Sequence, residues 1–355
     1  MSVSIRLCAV LAVLGACAVE EPELSTVSAQ TGTRCPIFFC GDNAATAGDG
    51  LLFDELDIFH RPNYAGVKIS FTTLNAVSGG TPQAGELSIE RDELVVYSGG
   101  YRYSGTALLG TVITLQQLET GEVFEILIDG FDKNTQFYRA GDTLETIPVY
   151  LLKARRPQKG MYKFDRFVCN HDALPSDPDW PAVLGHWALA YRGDRYDPDH
   201  KKLIADNNPA DGWSFLACAG SGAGKMHLFR HTWAGGFHNG VLEYPTSTNK
   251  RTTFMKTVTA DYCGTGAPQF TATGNPITFS ATPSFYFPAL GAGTPEAIWN
   301  ENGVVCLSTP RHQRFGDEYS YDREQVEEVC GRSIPKCESY WPTWQSYGYS
   351  ATANP

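Results

Sequence analysis

Two histidines four positions apart are the clearest candidate metal ligands in this sequence. His227 and His231 are separated by Leu-Phe-Arg, and this spacing places both imidazoles on one face of a helix or of a strand. Imidazole is a common zinc ligand, but no glutamate lies between the two histidines, unlike in zinc-protease helices. The nearby glycines and tryptophan favour a strand or loop. We therefore expect ordinary core or surface histidines, with zinc binding as the alternative.

An acidic segment is the candidate for calcium. Its oxygen-bearing side chains belong to Asp194, Asp197, Asp199, Asp206, Asn207, Asn208 and Asp211. Carboxylate and amide oxygens are the ligands that calcium prefers. The spacing does not match the EF-hand pattern, so solvated turn residues are expected, with calcium as the alternative. We predict that the protein needs no cofactor.

A glycine-rich run ending in lysine, Gly220–Lys225, superficially resembles a phosphate-binding loop. The motif fails because Ala219 stands at the first required glycine and Met226 at the serine or threonine that would bind magnesium. We instead expect a glycine-rich strand or loop beside Cys218, where the missing side chains allow close backbone approach.

Acid–base chemistry could use two dispersed carboxylates, Asp261 and Glu296. A pair of this kind, in a cleft, would indicate a secreted hydrolase acting on cell-wall or carbohydrate polymers. The structural interpretation is favoured: Asp261 caps a turn, Tyr262 packs in the core and Cys263 forms a disulfide. The expected function is thus a non-catalytic surface-binding or structural module, with the hydrolase as the alternative.

Aromatic residues near the end of the sequence offer a possible sugar-binding surface. They are Trp341, Trp344, Tyr347 and Tyr349. Such rings either stack on sugars or cover an apolar face of the fold, and the sequence leaves both alternatives open.

The first seventeen residues have the pattern of an export signal. After Arg6 an apolar run, Leu7–Ala16, is too short to cross a bilayer as a helix, which needs about 20 residues. The pattern predicts a signal peptide over residues 1–16. Leu14-Gly15-Ala16-Cys17 resembles a bacterial lipobox, which implies lipidation of Cys17. An ordinary signal peptide, cut elsewhere, is the alternative.

Residues 17–34 are polar and small, and are predicted to join the lipidated cysteine to the fold as a flexible tether. Ala18 follows the lipobox cysteine where sorting rules would otherwise place aspartate, and this resemblance implies an outer-membrane or cell-surface location. The expected partners are the membrane, through the lipid, and a polysaccharide or another envelope protein. A net charge of −11 argues against nucleic acid as a partner.

The cysteine content agrees with export. Ten cysteines are present, and eight remain without Cys8 and Cys17: Cys35, Cys40, Cys169, Cys218, Cys263, Cys306, Cys330 and Cys337. An even number in an oxidising compartment predicts up to four disulfides, and the lack of a Cys-x-x-Cys pair argues against a zinc ribbon. Short rings, Cys35–Cys40 and Cys330–Cys337, are the simplest pairings, although spacing does not determine the connectivity.

The fold class is predicted to be mainly β, with α+β character towards the end of the sequence. Alternating residues at Val67–Phe71 and 111–118 predict half-buried strands within an all-β domain over residues 35–155, a sandwich or open barrel. Basic residues with a proline and a glycine predict a boundary at 155–160. A second, disulfide-rich β domain is expected over residues 160–345.

One helix is clearly indicated. Asp322 and Gln325 have the spacing of a capping box, and Gly331 is suited to end the helix. Val326 and Val329 are expected to face inward.

The segment Ala260-Asp261-Tyr262-Cys263-Gly264-Thr265-Gly266 resembles the signature of the ADYC domain family, found in exported proteins of Gram-negative bacteria. Further similar elements are Cys35-Pro36 with Cys40-Gly41, the Cys218–Lys225 segment, Glu296-Ala297-x-Trp299 and Gly303-x-x-Cys306-Leu307. The resemblance implies an exported, disulfide-bonded, β-rich protein, and it implies no particular activity. Met226 and Phe254 stand where the family pattern has cysteines, which indicates the loss of one disulfide.

Overall fold

The computed structural model describes residues 55–77, 79–90, 92–136, 146–169, 186–197, 202–204, 212–219, 221–228, 232, 237–238, 241–242, 247–266, 278–281, 294–311, 322–346, 348 and 350–354. The predicted signal peptide and tether, with Cys17, Cys35 and Cys40, lie outside these residues, as do Asp199 and His231.

Strands dominate the described residues, which confirms the predicted fold class. They are β1 (Glu55–Asp57), β2 (Val67–Leu74), β3 (Gln83–Glu90), β4 (Glu93–Ser98), β5 (Tyr101–Ser104), β6 (Val112–Gln117), β7 (Val123–Gln136), β8 (Thr146–Arg156), β9 (Met161–Phe167), β10 (Trp187–Arg192), β11 (Tyr196–Asp197), β12 (Lys202–Leu203), β13 (Trp213–Cys218), β14 (Phe237–His238), β15 (Val241–Leu242), β16 (Thr278–Ala281), β17 (Thr294–Asn300), β18 (Gly303–Leu307) and β19 (Ser350–Asn354). The helices are α1 (Gly222–Leu228), α2 (Thr248–Thr259) and α3 (Arg323–Cys330).

Eleven antiparallel strands form the main sheet, in the order β1-β13-β10-β8-β7-β6-β2-β3-β4-β5, with β9 paired to β8. The sheet curls around one hydrophobic cluster, since β10 also contacts β3 and β4, which are far from it in this order. Across the interior, the Leu94 amide donates to the Tyr150 hydroxyl at 2.8 Å. The curled sheet agrees with the predicted sandwich or open barrel.

The sheet is continuous across the predicted boundary at residues 155–160. Strand β8 lies before it and pairs with β10, and β1 pairs with β13. Strands β10 and β13 have apolar residues on both faces, so one face closes the main cluster while the other packs against α1 and α2. The physical reason is that the strands before the boundary leave part of that cluster uncovered. Backbone pairing with the later strands covers it.

Two helices, α1 and α2, were not predicted from the sequence. The glycine-rich segment expected as a strand or loop forms helix α1 instead, which begins with the Gly224 amide donating to Ser221 Oγ at 3.0 Å. A side chain at Gly224 would collide with the backbone carbonyl of Cys218, so the predicted close approach is present. Helix α2 is rich in threonine, and its hydroxyls donate back to carbonyls one turn earlier, as Thr257 does to Thr253 at 2.8 Å. The helix was not predicted because its sequence is polar, although it is buried on all sides in the structure.

A smaller four-stranded sheet has the order β16-β19-β17-β18. Helix α3 packs on it and has the predicted capping box between Asp322 and Gln325, with Gly331 at its end. Val326 is buried as expected, but Val329 is 47 % exposed, so the inward assignment of Val329 was wrong. A helix of only two turns presents a narrow stripe to the sheet, and Val329 lies beyond it. Among the described residues, no helix has the length and apolarity needed to span a membrane.

Candidate functional site

The Ala-Asp-Tyr-Cys segment forms a turn at the end of helix α2. Ala260 ends the helix in the left-handed conformation, with φ of 52°. The Asp261 carboxylate then accepts hydrogen bonds from the amides of Thr265 and Gly266, at 2.9 and 2.8 Å. It also forms an ion pair of 2.9 Å with Lys256, and both side chains are buried. Asp261 therefore caps a turn, as the structural interpretation of the sequence predicted.

Tyr262 lies in the hydrophobic cluster between α3 and the smaller sheet. Its ring stacks on Trp299, with centroids 5.1 Å apart, and is fully buried. Its hydroxyl donates to Glu296 Oε1 at 2.6 Å and accepts from the Arg311 amide at 3.0 Å. Burial, together with the negative charge of Glu296, raises the pKa of Tyr262 well above its ordinary value. The phenol therefore stays protonated and acts as a donor.

A buried ion pair completes this group, called here the signature network: Tyr262, Glu296, Trp299 and Arg311. Arg311 Nε donates to Glu296 Oε1 at 2.7 Å, and the two side chains are 3 % and 0 % exposed. The guanidinium lies 5.7 Å from the Trp299 ring centroid. Among the described residues, Glu296 Oε2 and Arg311 Nη2 have no hydrogen-bond partner. The network holds two charges in the core, where each depends on the other for compensation.

The two carboxylates considered for acid–base chemistry both form ion pairs with buried basic side chains. Asp261 pairs with Lys256 and Glu296 pairs with Arg311, and all four side chains are at most 3 % exposed. A hydrolytic pair would instead need a cleft that admits a polymer to both groups. In this arrangement Asp261 connects the turn of the Ala-Asp-Tyr-Cys segment, called here the signature turn, to Lys256 of α2, and Glu296 connects the smaller sheet to Tyr262 of the same turn.

Three disulfides are present among the described residues: Cys169–Cys218, Cys263–Cys330 and Cys306–Cys337. The predicted ring Cys330–Cys337 was wrong. Cys330 ends helix α3 next to the signature turn, and its Cα lies 4.9 Å from that of Cys263. Cys337 instead lies beside β18. Helix α3 packs on one face of the smaller sheet, and the chain then crosses to the other face. Cys330 and Cys337, although close in sequence, therefore lie on opposite faces of that sheet.

The described metal candidates, Asp194, Asp197 and His227, do not form a group of ligands. Asp194 forms a fully buried ion pair of 2.8 Å with Arg251, and a cation in that position opposes calcium binding. Asp197 lies in the short hairpin β11–β12. His227 is on helix α1, not in the expected strand or loop, stacked on Tyr191 at 4.6 Å, with Nε2 3.8 Å from Asp92 Oδ1. In the described part of the chain no three potential ligands come together.

An exposed group at the end of the main sheet was missed in the sequence. We call it the edge face, and it comprises Glu90, Glu93, Tyr97 and Arg102, which the cross-strand register places on one face of the sheet. Arg102 donates to Glu90 at 3.0 Å and to Glu93 at 3.3 Å, and the Tyr97 hydroxyl also donates to Glu90. Tyr97 is 40 % exposed, whereas Tyr101, 70 % exposed, pairs with Ser98 and so lies on the opposite face of the sheet. Cross-strand pairing brings Tyr97 beside Arg102, so sequence spacing does not predict the group.

The aromatic residues near the end of the sequence, unlike the edge face, are not an exposed group where the structure describes them. Trp341 is half-buried and packs against the apolar cluster of the smaller sheet, which favours the covering role over sugar stacking. Tyr347 and Tyr349 lie outside the described residues.

Met226 and Phe254, where this sequence departs from the family pattern, lie in the same part of the structure. Both side chains are fully buried in one hydrophobic cluster, on helices α1 and α2, which contact each other. Their shared position agrees with the replacement of one disulfide by an apolar contact.

A family model described as the ADYC domain matches residues 105–313. No curated protein and no solved structure matches the chain. The matched range begins in the main sheet, well before residue 160, and it contains the signature turn and all of the signature network. Because it covers more than half of the sequence, this protein belongs to the ADYC domain family.

Proposed function

We propose that this protein is a lipid-anchored envelope protein whose folded part is a non-catalytic binding module for a cell-surface polysaccharide. The observation that carries the proposal is the contrast between two groups of residues. The polar side chains of the signature network are enclosed in the core, whereas the edge face presents Tyr97 and a charged network to solvent.

The edge face has the chemistry that a sugar polymer requires. Tyr97 offers a ring face for packing against the apolar side of a sugar, and its hydroxyl, which donates to Glu90, can still accept a hydrogen bond. Arg102 and its two glutamates form a preorganised set of donors and acceptors for sugar hydroxyls. The Gly99–Gly100 turn, with both φ values positive, joins β4 to β5 in the register that places Tyr97 beside Arg102.

Binding of purified protein to polysaccharide isolated from the producing cells tests this role. The double variant Tyr97→Ala/Arg102→Ala is expected to bind about tenfold more weakly or worse, because it removes both the stacking ring and the charged donor of the edge face. Tyr162→Ala is the matched control, because Tyr162 is 69 % exposed on β9, outside the edge face. Equal loss in both variants, or none in either, would contradict the proposal.

The anchoring part of the proposal rests on the lipobox at Leu14–Cys17. Metabolic labelling with a fatty acid is expected to mark the wild-type protein and the Cys8→Ser variant, but not Cys17→Ser. An unlabelled wild-type protein in a host that processes lipoproteins would overturn it. Membrane fractionation tests the location, and Ala18→Asp is expected to shift the protein from the outer to the inner membrane.

A further inference from the structure

Strand β19 fills a slot in the smaller sheet. It lies between β16 and β17 and pairs antiparallel with both. Strands β16 and β17 do not pair with each other in this order, so the slot without β19 would expose two open strand edges. Such edges have unsatisfied amides and carbonyls and readily accept another extended chain.

The slot recognises β19 with only a few side-chain contacts. Thr257 and Ser350 share a hydroxyl–hydroxyl hydrogen bond of 2.6 Å, and the Trp299 indole donates to Thr352 Oγ1 at 2.9 Å. Ala351 between them is fully buried in an apolar cluster. Main-chain pairing provides affinity in this mode of recognition, and the small pockets provide specificity.

The segment that leads into β19 is closely fitted at one point. A side chain at Gly348 would collide with the backbone carbonyl of Trp299, so only glycine permits this approach. Before it, residues Trp341–Ser346 form 3-10 turns interrupted at Thr343, whose φ and ψ are −129° and 35°. The interruption provides a place where the backbone direction can change without breaking a continuous helix.

We propose that β19 is exchangeable between molecules: residues 350–354 of a second copy of this chain enter the slot and give a strand-exchanged dimer. A second copy is the occupant that fits best, because its β19 has the same Ser-Ala-Thr sequence and makes the same pairing and hydroxyl contacts. The exchanged and unexchanged forms share these contacts and differ in the segment before β19 and in the cost of association. The inference is independent of the lipid anchor and of polysaccharide binding.

Mixing two forms of the full chain with different affinity tags tests the exchange. The mixture is concentrated, annealed by brief exposure to mild denaturant, and one tag is captured. The second tag is expected to be captured with it after annealing, and light scattering of the captured fraction is expected to give the mass of a dimer. If the second tag is never captured, the proposal is wrong.

Added peptides identify the slot as the site of exchange without altering the protein. A peptide of residues 348–355 in excess during annealing is expected to reduce co-capture at least about tenfold and to remain bound to the chain. The same peptide with Ala351→Trp is expected to do neither, because the Ala351 site is fully enclosed. Co-capture that neither peptide reduces, or that both reduce equally, would assign the contact to another surface and overturn the proposal.

Discussion

The Tyr262 hydroxyl donates a 2.6 Å hydrogen bond to the Glu296 carboxylate, and both residues are fully buried. One belongs to the Ala-Asp-Tyr-Cys segment and the other to the Glu-Ala-x-Trp element, so two separate sequence signatures meet at one contact. Arg311 completes the contact by pairing with the same carboxylate oxygen. The signatures therefore mark a polar connection that joins α2 to the smaller sheet.

Removing the phenol hydroxyl is expected to destabilise the fold. Tyr262→Phe keeps the ring stacked on Trp299 but deprives Glu296 of a donor and the Arg311 amide of an acceptor. We expect the free energy of unfolding to fall by about 1–3 kcal/mol, the usual cost of leaving buried polar groups unsatisfied. Urea unfolding measures the change, with Tyr162→Phe on the exposed face of β9 as control. A loss no greater than that of the control would contradict the structural role.

The ion pair between Glu296 and Arg311 is expected to be strongly coupled. Glu296→Gln leaves the Arg311 guanidinium buried without a counter-charge, which typically costs about 3–5 kcal/mol. The double variant Glu296→Gln/Arg311→Met is expected to regain part of this loss because it removes the unpaired charge. A double-mutant cycle by chemical denaturation measures the coupling, and Glu338→Gln at an exposed position is the control. Strictly additive effects would show that the pair is not coupled.

The disulfides are expected to differ in their resistance to reduction. Cys263 and Cys330 are partly exposed, whereas the other two bridges join fully buried sulfurs. Attack by a thiolate requires access to a sulfur, so limiting reductant should open Cys263–Cys330 first. Stepwise alkylation followed by peptide mapping measures the order. Earlier labelling of Cys169 or Cys306 would contradict the assigned accessibility.

The edge face is expected to confer a small pH-dependent stability. Hydrogen bonds from Tyr97 and then Arg102 lower the pKa of Glu90 below its ordinary value of 4.5. The folded state thus favours the ionised carboxylate, so the contribution is present above pH 4.5 and is lost as the pH falls through the lowered folded pKa. Because the group is exposed to solvent, we expect Tyr97→Phe to lower the stability only slightly at neutral pH and not at all in strong acid. A carboxyl titration by NMR should show the Glu90 pKa moving upward in the variant, and an unchanged pKa would contradict the contact.

The apolar contact between α1 and α2 is expected to accept a cross-link. Met226→Cys/Phe254→Cys places two thiols in the same buried cluster, so we expect an additional disulfide in the oxidised protein. Free-thiol titration under denaturing conditions measures it, and each single variant is the control. Two more titratable thiols in the double variant than in the wild-type protein would show that the helices hold these positions too far apart.

Local sequence patterns determined much of the main sheet. Alternation at Val67–Phe71 and at 111–118 predicted β2 and β6, because side chains on a half-buried strand repeat every two residues. The capping box and Gly331 predicted both ends of α3 for a similarly local reason. Backbone groups at helix ends are satisfied by residues within one turn.

Local patterns also predicted that Asp261 caps a turn, that Tyr262 packs and that Cys263 is cross-linked. The partners of these residues, which are Lys256, Glu296 and Cys330, depend on long-range packing. The pairing of Cys330 with Cys263 depends on how α3 lies on the smaller sheet, and short spacing to Cys337 could not reveal it. Helix α2 escaped prediction because its threonines are satisfied within the helix and its burial comes from elements distant in sequence. Long-range packing, which no local pattern encodes, therefore decided the composition of the buried network and the exposure of the edge face.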